Sequence, residues 1–325
     1  MKNTFPNLNS SNPFLQTNRS DDLGSLWATS NIDFQSNLLN IRVGTKLRPN
    51  TTTTQEANLL LPYAFKAFDG RIFAICGSRI FKNTGNNVTS AFAEDTSTNY
   101  VTNYSVNESD MEVFNGVLVT ATSAKMWTKA ANSSGTGAWT DRGNIDSSYH
   151  KMVYFKKFNK LYYLALETQV RSMNTDFSLN TSGDYTIQLG TSISNTTTIA
   201  AASDSLWIGT IRIFNSAAGV NTIEKAVVMQ WDGISQQITA EYQIDAQAVL
   251  AITIRDDIPY IMDSNGILRK FTGSSFQEVA RLPLVNEYLQ YATYSENERF
   301  IHPNGLITTK NNTIMVLNKG TDCSE

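Results

Sequence analysis

The amino-acid sequence predicts an all-β protein that folds as a β-propeller of six to seven blades with an N-terminal arm. Three observations support this fold class. Paired strand-like runs recur along the chain, a polar break precedes each pair, and the first run of most pairs is apolar at nearly every position. A sheet with one wet face alternates apolar and polar residues, so continuous apolar runs indicate sheets that are covered on both faces.

The paired runs form six copies of one repeat. The copies read RIFAICGSRIF, VLVTATSAKMW, LYYLALETQVR, LWIGTIRIF, IPYIMDSNGILRKF and LITTKNNTIMVL, starting at Arg71, Val117, Leu161, Leu206, Ile258 and Leu306. Successive starts lie 44–52 residues apart, near the length of a four-stranded propeller blade, which is about 40–50 residues. One such sheet cannot cover both of its own faces, so we expect the copies to stack around an axis. A pair of β-sandwiches and an irregular β-solenoid remain the alternative architectures.

The polar breaks that precede the copies predict tight turns. They lie at residues 69–70, 115–116, 159–160, 204–205, 256–257 and 304–305 and consist mainly of Asn, Asp and Gly, which readily adopt the positive φ of hairpin turns. In the fourth copy, residues 216–222 (SAAGVNT) form an insertion before the predicted strand Ala226–Trp231. The last copy has no outer strand after it, and we expect residues 41–47 (IRVGTKL) to supply that strand and close the ring.

The N-terminal part of the chain differs in composition from the remainder. It contains an Asn-Ser-Ser-Asn-Pro segment and a run of four threonines. We therefore predict an arm over residues 1–55 and the propeller over residues 56–325. Within the arm, Trp27 and Phe34 are the candidate interface residues, because aromatic side chains commonly anchor protein contacts. Packing of Trp27 against the ring is the alternative interpretation.

The search for chemistry predicts no catalytic, cofactor-binding or metal site, and we expect the protein not to be an enzyme. His150 and His302 lie in different copies, each with a lone carboxylate four residues before it and no cysteine nearby, which is too little for a zinc site or a Ser-His-Asp triad. No GxSxG, P-loop or GxGxxG motif is present. Residues 133–139 (SSGTGAW) lack the Asp of a sialidase Asp box. We interpret the aromatic residues of the repeat, Trp127, Trp139, Trp207, Trp231, Tyr162 and Tyr163, as packing residues.

Charge and hydropathy exclude two classes of partner. The net charge is −3 and charged residues make up 17% of the chain, below the share of about 25% in typical soluble proteins. We find no basic stripe that would neutralise a phosphate backbone, so nucleic acid is not expected as a partner. The apolar runs are shorter than the about 20 residues of a membrane-spanning helix, and the first residues do not read as a secretory signal peptide.

These features together resemble the β-propeller structural proteins of tailed-bacteriophage virions, in their tail or receptor-contact parts. The resemblance rests on the Asn-, Thr- and Ser-rich repeat, the polar arm, the two cysteines and the lack of a signal peptide. It implies assembly in the host cytoplasm, location in the virion, and partners that are other virion proteins or copies of the chain in a ring. A host surface glycan is a further candidate partner. Two alternatives remain: a carbohydrate-binding or divergent glycosidase propeller, and an intracellular scaffold propeller.

Overall fold

The structure is a computed structural model that describes most of the repeats and two segments of the arm. It describes residues 31–35, 38–42, 64–76, 79–83, 92–96, 110–121, 125–132, 137–144, 151–165, 168–189, 196–211, 213–215, 221–223, 225–281, 301–308, 312 and 314–318. The regular structure of these residues is entirely β, which confirms the predicted class. No helix that could cross a membrane occurs among them.

Among the described residues, five larger antiparallel sheets follow one another along the chain. Their strands pair in chain order, except that a separate hairpin interrupts the fourth sheet and two short strands share one edge of the third. Blade 1 contains β3 (Ala64–Phe68), β4 (Arg71–Cys76), β5 (Arg79–Asn83) and β6 (Phe92–Glu94). Blade 2 contains β7 (Asp110–Phe114), β8 (Val117–Ala121), β9 (Lys125–Ala130) and β10 (Trp139–Asn144). Blade 3 contains β11 (Met152–Phe155), β12 (Lys160–Ala165), β13 (Gln169–Met173), β14 (Leu179–Asn180) and β15 (Ile187–Gln188).

Blades 4 and 5 complete this series. Blade 4 contains β16 (Thr196–Ala201), β17 (Leu206–Thr210), β20 (Ala226–Trp231) and β21 (Ala240–Ile244), with the hairpin β18 (Ile213–Asn215) and β19 (Asn221–Ile223) between β17 and β20. Blade 5 contains β22 (Val249–Arg255), β23 (Ile258–Asp263), β24 (Ile267–Phe271) and β25 (Phe276–Arg281). Two further hairpins stand before and after the blades: β1 (Asn31–Gln35) with β2 (Leu38–Arg42), and β26 (Ile301–Thr308) with β27 (Ile314–Asn318).

The blades stack in chain order through their first strands. β3 contacts β7, β7 contacts β11, β11 contacts β16, β16 contacts β22, and β22 contacts β26. The buried apolar side chains of the described residues accordingly form five clusters, each located between one unit and the next. The second strands are covered on both faces, as the sequence predicted: every residue of β17 is buried, and so are Leu161 to Ala165 of β12. This succession of stacked four-stranded sheets is the β-propeller architecture.

The structure corrects the prediction for the last copy. The turn predicted at residues 304–305 is wrong, because Asn304 and Gly305 lie inside β26, where the pairing with β27 shifts register between Ile301 and Leu306. In blade 3, two short strands, β14 and β15, each pair with β13. The predicted strand Ala226–Trp231 is confirmed as β20. Asn221 and Thr222 of the predicted insertion lie in β19, which pairs with β18 in a separate two-stranded sheet.

The two ends of the described chain lie together. β1, in the predicted arm, contacts β27, although each belongs to its own two-stranded sheet. Of the strand predicted to close the ring, Ile41 and Arg42 lie in β2, and residues 43–47 are outside the described residues. The blade number of six to seven and the division at residue 55 therefore stay predictions.

Candidate functional site

The turns between the first and second strands of the blades lie on one edge of the stack, which we call the turn face. Because the sheets are antiparallel, the loops between third and fourth strands lie on the same edge. In blade 1, Asp69 and Gly70 have φ of 51° and 71°, and in blade 2, Asn115 and Gly116 have φ of 49° and 74°. Two positive φ angles in a two-residue loop are typical of a type I′ turn, and they confirm the tight turns that the sequence predicted at these positions. Residues 256–257 of blade 5 turn in the same way.

Polar side chains of the turn face join consecutive blades. The Asp69 carboxylate accepts a hydrogen bond from the Asn132 backbone N–H at 2.7 Å, linking blade 1 to blade 2. Between blades 4 and 5, the Asp257 carboxylate accepts bonds from the Ser203 N–H at 2.6 Å and hydroxyl at 2.5 Å. Further bonds run from Asn115 to the Thr175 carbonyl, from Lys157 to the Asp204 carbonyl, and from Asn312 to the Asp256 carboxylate. These bonds hold the turn face as a preformed surface.

A cleft between blades 4 and 5 opens on the turn face. Its volume is about 600 Å³, and Trp207 and Phe271 contribute apolar lining while Asp204, Asp257 and Lys270 contribute charged groups. Cavities of a few hundred cubic ångströms with an apolar lining and a few polar groups are the usual form of a binding site. We refer to it as the blade 4–5 cleft.

Trp207 carries an unsatisfied donor at this cleft. The side chain is 3% exposed, and Tyr242 stacks on it with a centroid distance of 5.8 Å and an interplanar angle of 27°. Phe271 packs against the same indole at 4.9 Å, in a tilted arrangement. The indole N–H is buried and has no hydrogen-bond partner. Burying an unpaired donor costs about 1–3 kcal/mol in general.

The polar groups around Trp207 make weak contacts with one another. The Gln230 amide donates to the Ser205 hydroxyl at 3.3 Å, and its oxygen accepts from the Tyr242 hydroxyl at 3.4 Å. The Asp204 side chain is 87% exposed, and the nearest atom of its ion-pair partner Lys157 is 3.8 Å away. Exposed ion pairs of this kind contribute little, so the Asp204 carboxylate is accessible to a ligand.

A second group of polar residues lies between the first strands of blades 1, 2 and 3. The Lys66 ammonium forms an ion pair with Glu112 at 2.8 Å, and Asp110 accepts the Met152 N–H at 2.9 Å. Burial raises the pKa of the Asp110 carboxyl, and burial lowers the pKa of Lys151 to about 8, against the opposing effect of Asp110. The two basic groups, Lys66 and Lys151, balance the charges of the two acidic groups, Asp110 and Glu112. This balance suits a structural link between three blades.

A third polar group ties blade 1 to blade 2 in the protein interior. The fully buried Asp95 carboxylate accepts the Trp139 indole N–H at 3.0 Å and forms ion pairs with Lys82 at 2.8 Å and Lys129 at 3.2 Å. Burial lowers the pKa of Lys129, although Asp95 opposes that effect. Because every oxygen of Asp95 has a cationic or N–H partner, we assign this group to blade packing.

The residues singled out in the sequence are distributed as follows. Trp27 and His150 lie outside the described residues. Phe34 lies in β1, opposite Leu39 of β2, and His302 lies in β26. Within the described ranges, no group of three or more His, Cys, Asp or Glu side chains could hold a metal ion. Trp207, predicted to be a packing residue, does pack against Tyr242 and Phe271. The cleft beside it was not predicted.

Comparisons with known proteins bear on the fold. No protein-family model matches the chain, and no curated protein matches its sequence. The extracellular domain of a putative one-component system from B. thetaiotaomicron is similar with a TM-score of 0.54 and 12% identity, over 82% of this chain and 33% of that one. The similar solved structures also include the WD40 β-propeller domain of Doa1, with a TM-score of 0.48, 11% identity, and coverage of 68% and 69%. Streptogramin B lyase has a TM-score of 0.47 and 14% identity, with coverage of 80% and 84%.

Proposed function

We propose that this β-propeller is a non-enzymatic assembly module of a virus particle, which binds neighbouring proteins through its turn face and its N-terminal arm. The neighbours are other virion proteins or copies of the same chain arranged in a ring. The observation that carries the proposal is the preformed turn face, in which side-chain bonds join one blade to the next at several positions. A surface that is already ordered loses little conformational entropy when a partner binds.

The buried polar groups support a structural role rather than catalysis. Asp95 is held by two lysines and an indole N–H, and Glu112 is held by Lys66. Carboxylates of a glycosidase must instead face a substrate as an acid and a base or nucleophile. The pairing of these acids across blade boundaries accounts for their burial without a reaction.

The virion setting is supported by the sequence. The polar, charge-poor composition and the arm over residues 1–55 resemble structural propellers of tailed phages, and Trp27 and Phe34 are the arm residues proposed to contact neighbours. The contact of β1 with β27 brings part of the arm beside the last hairpin.

The experiment that tests this proposal is immunogold electron microscopy on particles purified from the source culture, with antibodies against the recombinant full chain. We expect gold at one fixed place on intact particles, and we expect the Trp27→Ala chain to compete poorly for incorporation. Recovery of the protein in the particle-free fraction, with unlabelled particles, would contradict the proposal and favour the intracellular scaffold.

A host surface glycan is tested separately. Binding of the full chain to a glycan array, lost on mutation of cleft residues, would favour the carbohydrate-binding alternative. We expect no such binding, because the buried Trp207 ring offers no free face on which a sugar could stack.

A further inference from the structure

We propose that Asn115, in the turn between β7 and β8 of blade 2, is a modification site at which the protein deamidates spontaneously. The side-chain amide is converted to a carboxylate, and the conversion removes a hydrogen bond that joins blade 2 to blade 3. The inference rests on the geometry of this turn and does not depend on which partner the turn face binds. It gives the turn face a negative charge that increases with the age of the protein.

Deamidation is a reaction between the asparagine side chain and the backbone of the next residue. The Gly116 nitrogen, after losing its proton to a hydroxide ion, attacks Cγ of Asn115. The Cγ–Nδ2 bond breaks, Nδ2 takes a proton from water and leaves as ammonia, and a succinimide ring remains. Water then opens this ring at either carbonyl, which gives aspartate or isoaspartate. Each conversion consumes one water molecule and releases one ammonia.

The turn between β7 and β8 meets the requirements of this reaction. Asn115 and Gly116 are both exposed and lie between the paired residues of the two strands, so hydroxide can reach the Gly116 N–H. Among the residues that the structure describes, none accepts a backbone hydrogen bond from that N–H. Glycine has no side chain to obstruct the ring, and no atom lies within 4 Å of the position that a Gly116 Cβ would occupy.

A second Asn-Gly pair, in blade 5, is protected. The Gly266 N–H donates to the Asp263 carbonyl at 3.0 Å, and the Asn265 N–H donates to the Asp263 carboxylate at 2.9 Å. Gly266 is also buried. Its nitrogen must break a hydrogen bond before it can attack, so the folded structure slows the reaction at Asn265. The third Asn-Gly pair of the chain, at residues 304–305, lies inside strand β26.

Asn159 has the opposite combination of features. It is exposed and has φ of 50°, close to the 49° of Asn115. It is followed by Lys160, however, and a side chain on the residue that supplies the attacking nitrogen hinders closure of the ring. Asn265 thus has the glycine and Asn159 has the exposure, whereas Asn115 has both.

The nitrogen that leaves is the one that links the two blades. Asn115 Nδ2 donates to the Thr175 carbonyl at 2.9 Å. A carboxylate has no hydrogen to donate, so two acceptors face each other after the conversion. The exposed Asp176 follows Thr175 directly and adds a further negative charge. We therefore expect deamidation to loosen the contact between blades 2 and 3 at the turn face.

The experiment incubates the full chain at mildly alkaline pH and physiological temperature, and follows it by anion-exchange chromatography and by peptide mapping with mass spectrometry. We expect one main acidic species, in which Asn115 carries the mass change of an amide converted to an acid and isoaspartate is among the products. Asn115 should convert about tenfold faster than Asn265, because only the Gly266 nitrogen must first break a hydrogen bond and become exposed.

Two variants separate the two sites. Asn115→Gly retains a turn that accepts positive φ and has no side-chain amide, so the main acidic species should disappear. Asn265→Ser is the matched control, and it should leave the amount and the rate of formation of that species unchanged. If Asn115→Gly does not fold, peptide mapping of the wild-type chain still decides between the sites.

Hydrogen exchange tests the effect on the contact between the blades. In the isolated acidic species, the amides of residues 115–117 and 175–178 should exchange about fivefold faster than in the fresh chain, the effect of one lost hydrogen bond. The amides of residues 267–271 in blade 5 are the control, and their exchange rates should not change.

Three results would overturn the inference. In the first, Asn115 stays intact in the folded chain while a synthetic peptide of residues 111–120 (MEVFNGVLVT) converts under the same conditions. In the second, Asn115 and Asn265 convert at the same rate. In the third, the amides of the acidic species exchange as slowly as those of the fresh chain, which would show that the conversion does not loosen the contact between blades 2 and 3.

Discussion

Replacement of Asp95 by Asn tests how charge is balanced between blades 1 and 2. Asp95 is fully buried, and the Lys129 side chain that it neutralises is 1% exposed, so the variant leaves a buried ammonium without its counter-charge. Breaking a buried ion pair costs about 3–5 kcal/mol. Lys82 is 15% exposed and retains access to water, so the loss comes mainly from Lys129. We expect Asp95→Asn to lower the free energy of unfolding by about 3 kcal/mol.

A double-mutant cycle separates this effect from simple loss of packing. Lys129→Met removes the buried charge and leaves Asp95 with Lys82 and the Trp139 indole. We expect the double variant to lose about 1–3 kcal/mol less free energy of unfolding than the two single variants lose together. The assay is urea unfolding at pH 7, followed by near-ultraviolet circular dichroism and tryptophan fluorescence.

Asp141→Asn is the matched control for this cycle. Asp141 pairs with Lys125 at 2.7 Å within blade 2, but both side chains are well exposed, so its replacement should have a much smaller effect than that of Asp95. Strict additivity of Asp95→Asn and Lys129→Met, or equal losses at Asp95 and Asp141, would refute the reasoning.

Three other substitutions probe separate parts of the stack. Lys151 has its pKa lowered by burial to about 8 from 10.5, so the unfolded chain binds more protons between these pH values and the free energy of unfolding rises with pH there. Lys151→Met should abolish a rise on the order of 2–3 kcal/mol between pH 7.5 and 10.5, measured by urea unfolding. Gly209→Ala places a Cβ 2.7 Å from Thr198 Cγ2 and should cost about 1–3 kcal/mol in the same assay. Tyr162→Phe removes the bond from its hydroxyl to the Gly233 carbonyl at 2.6 Å and should cost about 1–2 kcal/mol in thermal or urea unfolding.

Each of these substitutions has a control. If Lys151→Met leaves the pH dependence of the free energy of unfolding unchanged, the Lys151 ammonium does not titrate as stated. Gly116→Ala meets no atom within 4 Å but has φ of +74°, so its cost reports backbone strain alone and should not depend on neighbouring side chains. Tyr154→Phe removes a bond to Asn159 in an exposed position and should change stability less than Tyr162→Phe does. Equal losses at the two tyrosines would contradict the inter-blade role of Tyr162.

The sequence predicted the local parts of the fold well because they depend on local chemistry. Asp69, Gly70, Asn115 and Gly116 adopt the positive φ angles that the turn type requires. The same reasoning was wrong at residues 304–305, which lie inside β26 at the point where its pairing with β27 shifts register. A dipeptide that permits a turn does not require one.

The candidate site could not be predicted because it depends on how blades meet. The blade 4–5 cleft forms from residues of two repeats, and the exposure of Trp207 is set by Tyr242 and Phe271 rather than by its own strand. One signal was nevertheless present. Lys66 and Glu112 are 46 residues apart and Asp95 and Trp139 are 44 apart, which is one repeat length, so aligning the copies and searching for complementary polar pairs would have found these links.

Electron cryomicroscopy of the protein in its natural assembly tests the central claim most directly. We predict first strands arranged around one axis in chain order, and a neighbouring protein bound to the turn face. Sheets packed as a sandwich would contradict the fold. A propeller whose turn face is free, with its contacts made elsewhere, would contradict the proposed use of that face.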